Sequence, residues 1–246
     1  MVLRWLCLAL VLVAGPAVAQ TGVGFDAPVK AVTTTGFMAW TTCVYYRDVM
    51  IQTGGVDLPE LASATILPNH DASALGPCRF DMEWPDTIIV RSPGYDMALI
   101  GRKGRFLVFG FSDPPGIQIF DVTTGRALFE DGIYGSVTAV TLSQGVLHMR
   151  YNRAVGAKCS LVTDNAGCWA RILASGALPR NVDVRPPTSE VCRKSYDKAF
   201  YNIYGTIDPR RYDYPSVVSY AVDLTLDGAG HATMRASGPL SCELQS

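Results

Sequence analysis

Charged residues are scarce in this 246-residue chain. Only 17% of its residues are Asp, Glu, Lys or Arg, whereas 48% are hydrophobic, and an intrinsically disordered protein would have far fewer apolar and more charged residues. The 21 basic and 22 acidic residues nearly cancel, which leaves a formal net charge of −1. Such a chain has no overall field to attract nucleic acid or an anionic membrane. We therefore expect a folded protein that binds no nucleic acid.

Common catalytic and metal-binding motifs are also missing from the sequence. It contains no C-x-x-C pair and no G-x-S-x-G nucleophile elbow, and its aspartates do not follow the D-x-D-x-D-G spacing of a calcium loop. These absences exclude the usual signatures of zinc sites, thiol-redox sites and α/β-hydrolase sites. We expect no metal and no cofactor, and the lack of these motifs favours a protein that is not an enzyme.

Long apolar runs are confined to the start of the chain. Arg4 precedes an 11-residue apolar stretch, Trp5 to Gly15, and the small residues Ala17-Val18-Ala19 follow it. This is the layout of a Sec-type signal peptide, whereas a membrane span needs about 20 apolar residues. We expect residues 1–19 to be a signal peptide and the rest to be periplasmic or secreted without stable membrane insertion. A bacterial envelope is favoured because the sequence has no N-x-S/T sequon.

Six cysteines remain after this leader, and an even number in an oxidising compartment predicts three disulfides. Six cysteines allow 15 connectivities. We expect Cys159–Cys168, because the eight residues between these cysteines end in a cluster of turn-forming residues that can reverse the chain. The remaining expected pairs are Cys43–Cys78 and Cys192–Cys242.

The middle of the chain consists of short β-rich segments separated by turn residues. They are Thr87–Arg91, Arg105–Phe111, Ile117–Val122, Ala127–Glu130, Val137–Leu142 and Val146–Tyr151. The stretch from Arg105 to Tyr151 is similar to one blade of a β-propeller, but no second copy follows, so no family is assigned. We expect a mainly β fold, an antiparallel sandwich or meander with one or two short helices. A small propeller-like sheet and an α+β arrangement are the alternatives.

The flanking segments are more varied, and we expect residues 20–246 to form a single disulfide-stabilised domain, with an internal boundary near 179–188 as the alternative. Residues 37–52 fit a helix or a strand equally well. The other expected elements are a helix from Asp57 to Ile66, a strand Trp169–Leu173, a helix capped by Ser189 and ended by Gly205, and a hairpin of Val217–Leu226 with His231–Ala236.

Few side chains suit catalysis, since the chain has three histidines: His70, His148 and His231. His148 would share a strand face with Arg150, which is usually an ordinary sheet position. Asp81 and Glu83 are a carboxylate pair that could serve glycoside hydrolysis, but a solvated acidic loop is the simpler interpretation.

The most unusual composition lies between Tyr196 and Tyr220, where six tyrosines are interleaved with Lys and Arg. Tyr and Arg are enriched at interface hot spots, so we expect a binding face at Arg210, Arg211, Tyr212 and Tyr214. The alternative is that most of the tyrosines pack the helix and final hairpin onto a sheet.

The sequence therefore predicts an exported, non-catalytic binding or envelope-associated protein that recognises a protein or a glycan. An exported hydrolase with an unrecognised active site is one alternative, and a structural component of an envelope assembly is another.

Overall fold

Antiparallel β-structure dominates the described part of the chain, as the sequence predicts, and this part has two short α-helices toward its C-terminal end. A computed structural model describes residues 23–35, 39–56, 63–69, 76–79, 86–91, 97–112, 115–132, 137–176, 178, 185–205 and 208–244. The predicted leader lies outside these residues. Three sheets follow one another along the chain, and in each of them neighbouring strands in the sequence are neighbours in space.

The first sheet has five strands in sequence order. They are β1 (Lys30–Thr35), β2 (Ala39–Tyr45), β3 (Val49–Val56), β4 (Ser63–Pro68) and β5 (Ile88–Arg91). The ambiguous segment at 37–52 thus supplies β2 and the first half of β3. A tight turn joins these two strands, in which the Tyr46 N–H donates to the Val49 carbonyl at 2.8 Å.

The predicted helix from Asp57 to Ile66 is wrong over its last residues, which belong to β4. Ala64 and Ile66 alternate with less buried neighbours, as in a strand with one face on the core. β4 pairs with β3 on one side and β5 on the other, so its backbone groups are satisfied without a helix. Residues 57–62 lie outside the described part.

The second and third sheets have four strands each. The second contains β6 (Ala98–Lys103), β7 (Phe106–Ser112), β8 (Pro115–Asp121) and β9 (Ala127–Asp131). The third contains β10 (Val137–Ser143), β11 (Val146–Gly156), β12 (Ser216–Leu226) and β13 (Ala232–Leu244). The blade-like stretch Arg105–Tyr151 therefore spans two sheets, because β10 pairs with β11 and the four-stranded unit begins one strand earlier, at Ala98.

The second sheet is buried on both faces. Leu107 and Phe109 of β7 pack into a core shared with the first sheet. Phe106 and Val108, which alternate with them, pack into a core shared with the third sheet. Successive side chains of a strand point to opposite faces, so this uninterrupted apolar run is what a central layer requires.

An extended segment before β1 fastens the second sheet to the third. Phe25 is 5% exposed and lies in the core between them. Gly24 has φ +104°, and a Cβ atom there would lie 2.1 Å from the Val140 carbonyl oxygen. Asp26 accepts a hydrogen bond from the Gly104 N–H at 2.7 Å. The segment is thus held by contacts with β10 and with the β6–β7 turn.

The predicted strand Trp169–Leu173 is wrong, because these residues belong to helix α1 (Asn165–Ala174). Asp164 caps it, accepting from the Gly167 N–H at 3.0 Å. Cys168, Trp169 and Ile172 are buried, and the spacing of three and four residues makes one helical stripe.

Helix α2 (Ser189–Tyr204) follows the prediction closely. Thr188 and not Ser189 is its N-cap, accepting from the Val191 N–H at 3.3 Å. Gly205 ends it in the left-handed region with φ +66°. Cys192, Tyr196 and Phe200 form the buried stripe, which packs against the end of the third sheet. Among the described helices, none has the length and apolarity to cross a membrane.

Three disulfides join the cysteines in the three expected pairs. Their Cα–Cα distances are 5.7 Å for Cys43–Cys78, 5.6 Å for Cys159–Cys168 and 5.0 Å for Cys192–Cys242. The predicted terminal hairpin is present as β12 and β13, and β13 runs eight residues beyond Ala236 to Leu244. This extra length brings Cys242 to Cys192 of α2, which fixes the helix to the edge strand.

Candidate functional site

The predicted binding residues lie on and beside a short 3-10 helix, Pro209–Asp213, that separates α2 from β12. Asp208 starts it by accepting a hydrogen bond from the Arg210 N–H at 2.8 Å. Tyr214 follows the helix directly. The structure therefore places these residues in one surface segment next to α2.

Arg211 is held against α2 and is only 14% exposed in its side chain. Its Nε donates to Asp197 Oδ1 at 2.5 Å, and its Nη1 donates to the Asp208 carbonyl at 3.0 Å. Its Nη2 donates to the Tyr212 hydroxyl at 2.6 Å. Hydrogen bonding to Asp197 raises the pKa of Arg211. Arg211 therefore positions its neighbours.

The Tyr212 ring packs against two guanidinium groups. The Cζ atoms of Arg211 and Arg193 lie 4.1 Å and 5.2 Å from its centroid, which is within cation–π range. The Tyr212 hydroxyl donates to Asp197 Oδ1 at 2.9 Å. Burial raises the pKa of Tyr212, and the bond to Asp197 adds to that rise. Burial opposes ionisation of Asp197, but hydrogen bonds from Arg211 and Tyr212 outweigh it and lower the pKa of the carboxyl.

Three exposed side chains lie on the same two segments as the Tyr212 ring and its two arginines. Arg210 is 84% exposed, and its Nε lies 3.6 Å from Asp208. Tyr214 is 41% exposed and contacts Phe200 with ring centroids 5.9 Å apart. Tyr201 is 60% exposed. We call the surface formed by Arg193, Tyr201, Arg210, Tyr212 and Tyr214 the arginine–tyrosine face.

Sequence reasoning missed two members of this face. They are Arg193 and Tyr201, which both lie on α2. The signal was present in the helical spacing, since Arg193, Asp197 and Tyr201 are four residues apart and share one stripe. Other tyrosines follow the alternative interpretation, because Tyr196 and Tyr220 are buried and pack the core.

The two described histidines lie at separate places. His148 of β11 is exposed between buried residues, as an ordinary sheet position would be, and its Nδ1 is 3.5 Å from Thr225 Oγ1. His231 pairs with Asp227 at 2.8 Å across the β12–β13 turn. Asp227 Oδ1 also accepts from the Ala229 and His231 N–H groups, so this pair closes the hairpin. His70, Asp81 and Glu83 lie outside the described residues.

His148 also borders a second surface feature, a shallow depression on the solvent face of the third sheet. Its cavity volume is about 300 Å³. We call it the outer groove and define it by Ala139, Thr141, His148, Arg150, Asp223 and Thr225. Arg150 and Asp223 form a two-bond pair, with Nε–Oδ1 at 2.7 Å and Nη2–Oδ2 at 3.0 Å. Hydrogen bonding from Arg150 lowers the pKa of Asp223.

Within the described ranges, no three His, Cys, Asp or Glu side chains converge as a metal site would require. Comparison with known proteins gives no family, because neither a protein-family model nor a curated protein sequence matches the chain. The geometry of the two surfaces is therefore the basis for inferring what the protein does.

Proposed function

We propose that the chain is an exported, non-catalytic protein that binds a partner protein through the arginine–tyrosine face. The observation that carries this proposal is the Tyr212 ring in cation–π contact with Arg193 and Arg211, with exposed Arg210, Tyr201 and Tyr214 on α2 and the adjoining 3-10 segment. The signal-peptide layout of residues 1–19 and the three disulfides support export.

The residue types favour a protein partner. Arg and Tyr dominate interface hot spots because they combine a large contact area with directional polar groups. Tyr212 is already ordered by its hydroxyl bond and its two guanidinium neighbours, so binding would cost less side-chain entropy. Arg193 and Arg210 add positive charge at the surface, which suits a partner that presents carboxylates.

Affinity purification from the cell envelope tests this function with a matched pair of charge reversals. Arg210→Glu reverses an exposed charge on the arginine–tyrosine face, and Arg171→Glu reverses one on α1, where the side chain is 61% exposed. We expect Arg210→Glu to reduce co-purification of a partner protein at least tenfold, whereas Arg171→Glu leaves it unchanged. Equal recovery with both variants would contradict the proposal.

A further inference from the structure

The outer groove lies apart from the arginine–tyrosine face and has a different chemistry. On β12, Val218 packs with α2. Asp223 and Thr225 alternate with the buried Leu224, so they lie on the opposite face of the strand from Val218. On β11, His148 and Arg150 alternate with the buried Met149 in the same way. The groove is therefore open to solvent on the side of the third sheet opposite its core.

A bulge and a small residue together create the depression. The pairing of β10 with β11 shifts between Val137 and Ala139, and both Thr138 and Ala139 are exposed as a result. Ala139 is paired with Arg150, so a methyl group stands beside a long side chain. Because the Ala139 side chain is much shorter than that of Arg150, it leaves space in the groove in which a ligand can lie.

The polar groups form two rows across three strands. Thr141, His148 and Thr225 are in register and make one row. Ala139, Arg150 and Asp223 make the next row. The rows are two residues apart along each strand, which is about 7 Å. This spacing and the volume of about 300 Å³ suit one small ring at the lower limit of ligand-pocket sizes.

The donors and acceptors of the groove determine which ring chemistry fits. A guanidinium has five N–H groups, and the two bonds from Arg150 to Asp223 leave three for a ligand among the described contacts. Asp223 keeps acceptor capacity beside them, since each carboxylate oxygen has two lone pairs. The guanidinium donates hydrogen bonds and the carboxylate accepts them. Side by side, they match two hydroxyls on adjacent ring carbons, one of which accepts a hydrogen bond while the other donates one. Thr141 and Thr225 supply hydroxyls that do both.

We infer that the outer groove binds a neutral sugar ring, as a free saccharide or as one unit of a glycan. Within the lining the charge of Arg150 is paired with that of Asp223, and Arg235 of β13, which is in register with Asp223, lies beside the groove. An acidic group that bound Arg150 would be held next to the Asp223 carboxylate, which repels it. A hydroxylated, uncharged ring uses both partners without separating them. This second site is independent of the proposed partner-protein face.

Nuclear magnetic resonance on the oxidised, isotope-labelled protein tests the inference. The probes are cellotriose, maltotriose and chitotriose as neutral saccharides, and tri-galacturonate as the anionic control. We expect at least one neutral trisaccharide to shift the backbone amide signals of residues 139–150 and 221–225 in a saturable titration. Shifts with tri-galacturonate alone, or none with any probe, would overturn the inference.

Two substitutions on β10 locate the site, and the one inside the groove fills space without removing a polar group. Ala139→Met fills the depression, while Ser143→Met adds the same side chain at an exposed position of the same strand. We expect Ala139→Met to weaken saccharide binding at least tenfold and Ser143→Met to leave it unchanged. Equal binding by Ala139→Met and the unmodified protein would show that the groove is not the site. Arg210→Glu should not alter saccharide binding, so failure here is separable from failure of the proposed function.

Discussion

At the scale of single residues, Arg210 and Arg211 are neighbours in the chain with opposite roles. Arg211 is 14% exposed and holds Asp197 and Tyr212, whereas Arg210 is 84% exposed and available to a partner. Composition predicted the segment but not this division, because it depends on Asp197, which lies 14 positions earlier on α2. A sequence window gives no information on which of two adjacent arginines will find a distant carboxylate.

Replacing Asp197 should release Arg211 and the Tyr212 ring that packs against it. In Asp197→Asn the ionic partner of Arg211 is lost, so we expect a weaker near-UV circular dichroism signal from Tyr212 and a melting temperature lower by about 2–4 °C. Lys194→Gln is the matched control, since Lys194 pairs only with exposed Glu190 on the same helix among the described contacts. Identical near-UV spectra for Asp197→Asn and the unmodified protein would contradict this role.

Asp121 should make the stability of the fold depend on pH. Its side chain is 1% exposed. Burial alone would raise its pKa, but bonds from the Thr123 hydroxyl and N–H and from Arg105 outweigh burial and lower it. Because the folded-state pKa lies below the unfolded value, Asp121 stabilises the fold above about pH 4, and this contribution is lost as the pH falls through the folded-state pKa.

Urea unfolding of Asp121→Asn measures that contribution. We expect the variant to lose about 2 kcal/mol of unfolding free energy near about pH 6, and this loss to shrink steadily as the pH falls below about 4, the unfolded-state pKa of an aspartate. A difference that stays constant over this pH range would rule out an ionised Asp121 as the cause.

At the scale of secondary-structure elements, local patterns fail where neighbouring strands or a cap decide the outcome. Ser63–Ile66 has helix-start features before it, yet pairing with β3 and β5 makes it a strand. Trp169–Leu173 has strand-like composition, yet the Asp164 cap and the buried helical stripe make it a helix. By contrast, α2 was predicted well because its cap region, apolar stripe and Gly205 all lie within one window.

The docking of the extended segment before β1 onto β10 can be tested with two glycines that both have positive φ. Gly24→Ala would place Cβ 2.1 Å from the Val140 carbonyl oxygen, whereas Gly145→Ala, with φ +78°, meets open space. We expect Gly145→Ala to cost about 1 kcal/mol from backbone strain alone, and Gly24→Ala to cost at least about 2 kcal/mol more in urea unfolding. Equal costs would mean that the segment does not press on β10.

At the scale of the whole molecule, the second sheet is the central layer of a three-sheet stack. The sequence predicted antiparallel β-structure but not this order of layers, because packing between sheets depends on pairings far apart in the chain. The uninterrupted apolar run Phe106–Phe109 is a local indication that both faces of this strand are buried.

A shared central layer predicts cooperative unfolding of the chain. Trp40 lies on β2 of the first sheet and Trp169 on α1 beside the third. Two variants of a chain that is produced from Gln20 onward, W84F/W169F and W40F/W84F, each keep one of these reporters. In each variant we expect tryptophan fluorescence and far-UV circular dichroism to give the same urea midpoint. Separate midpoints would show that the layers unfold independently.

The central claim is that the arginine–tyrosine face contacts a partner protein in the cell envelope. Site-specific photo-cross-linking in living cells tests it directly, with the photoreactive residue benzoylphenylalanine placed at position 210 or, as a control, at position 171. The account predicts a light-dependent adduct with a defined partner protein at 210 and no such adduct at 171. The same adducts at both positions, or no protein adduct at 210, would contradict it.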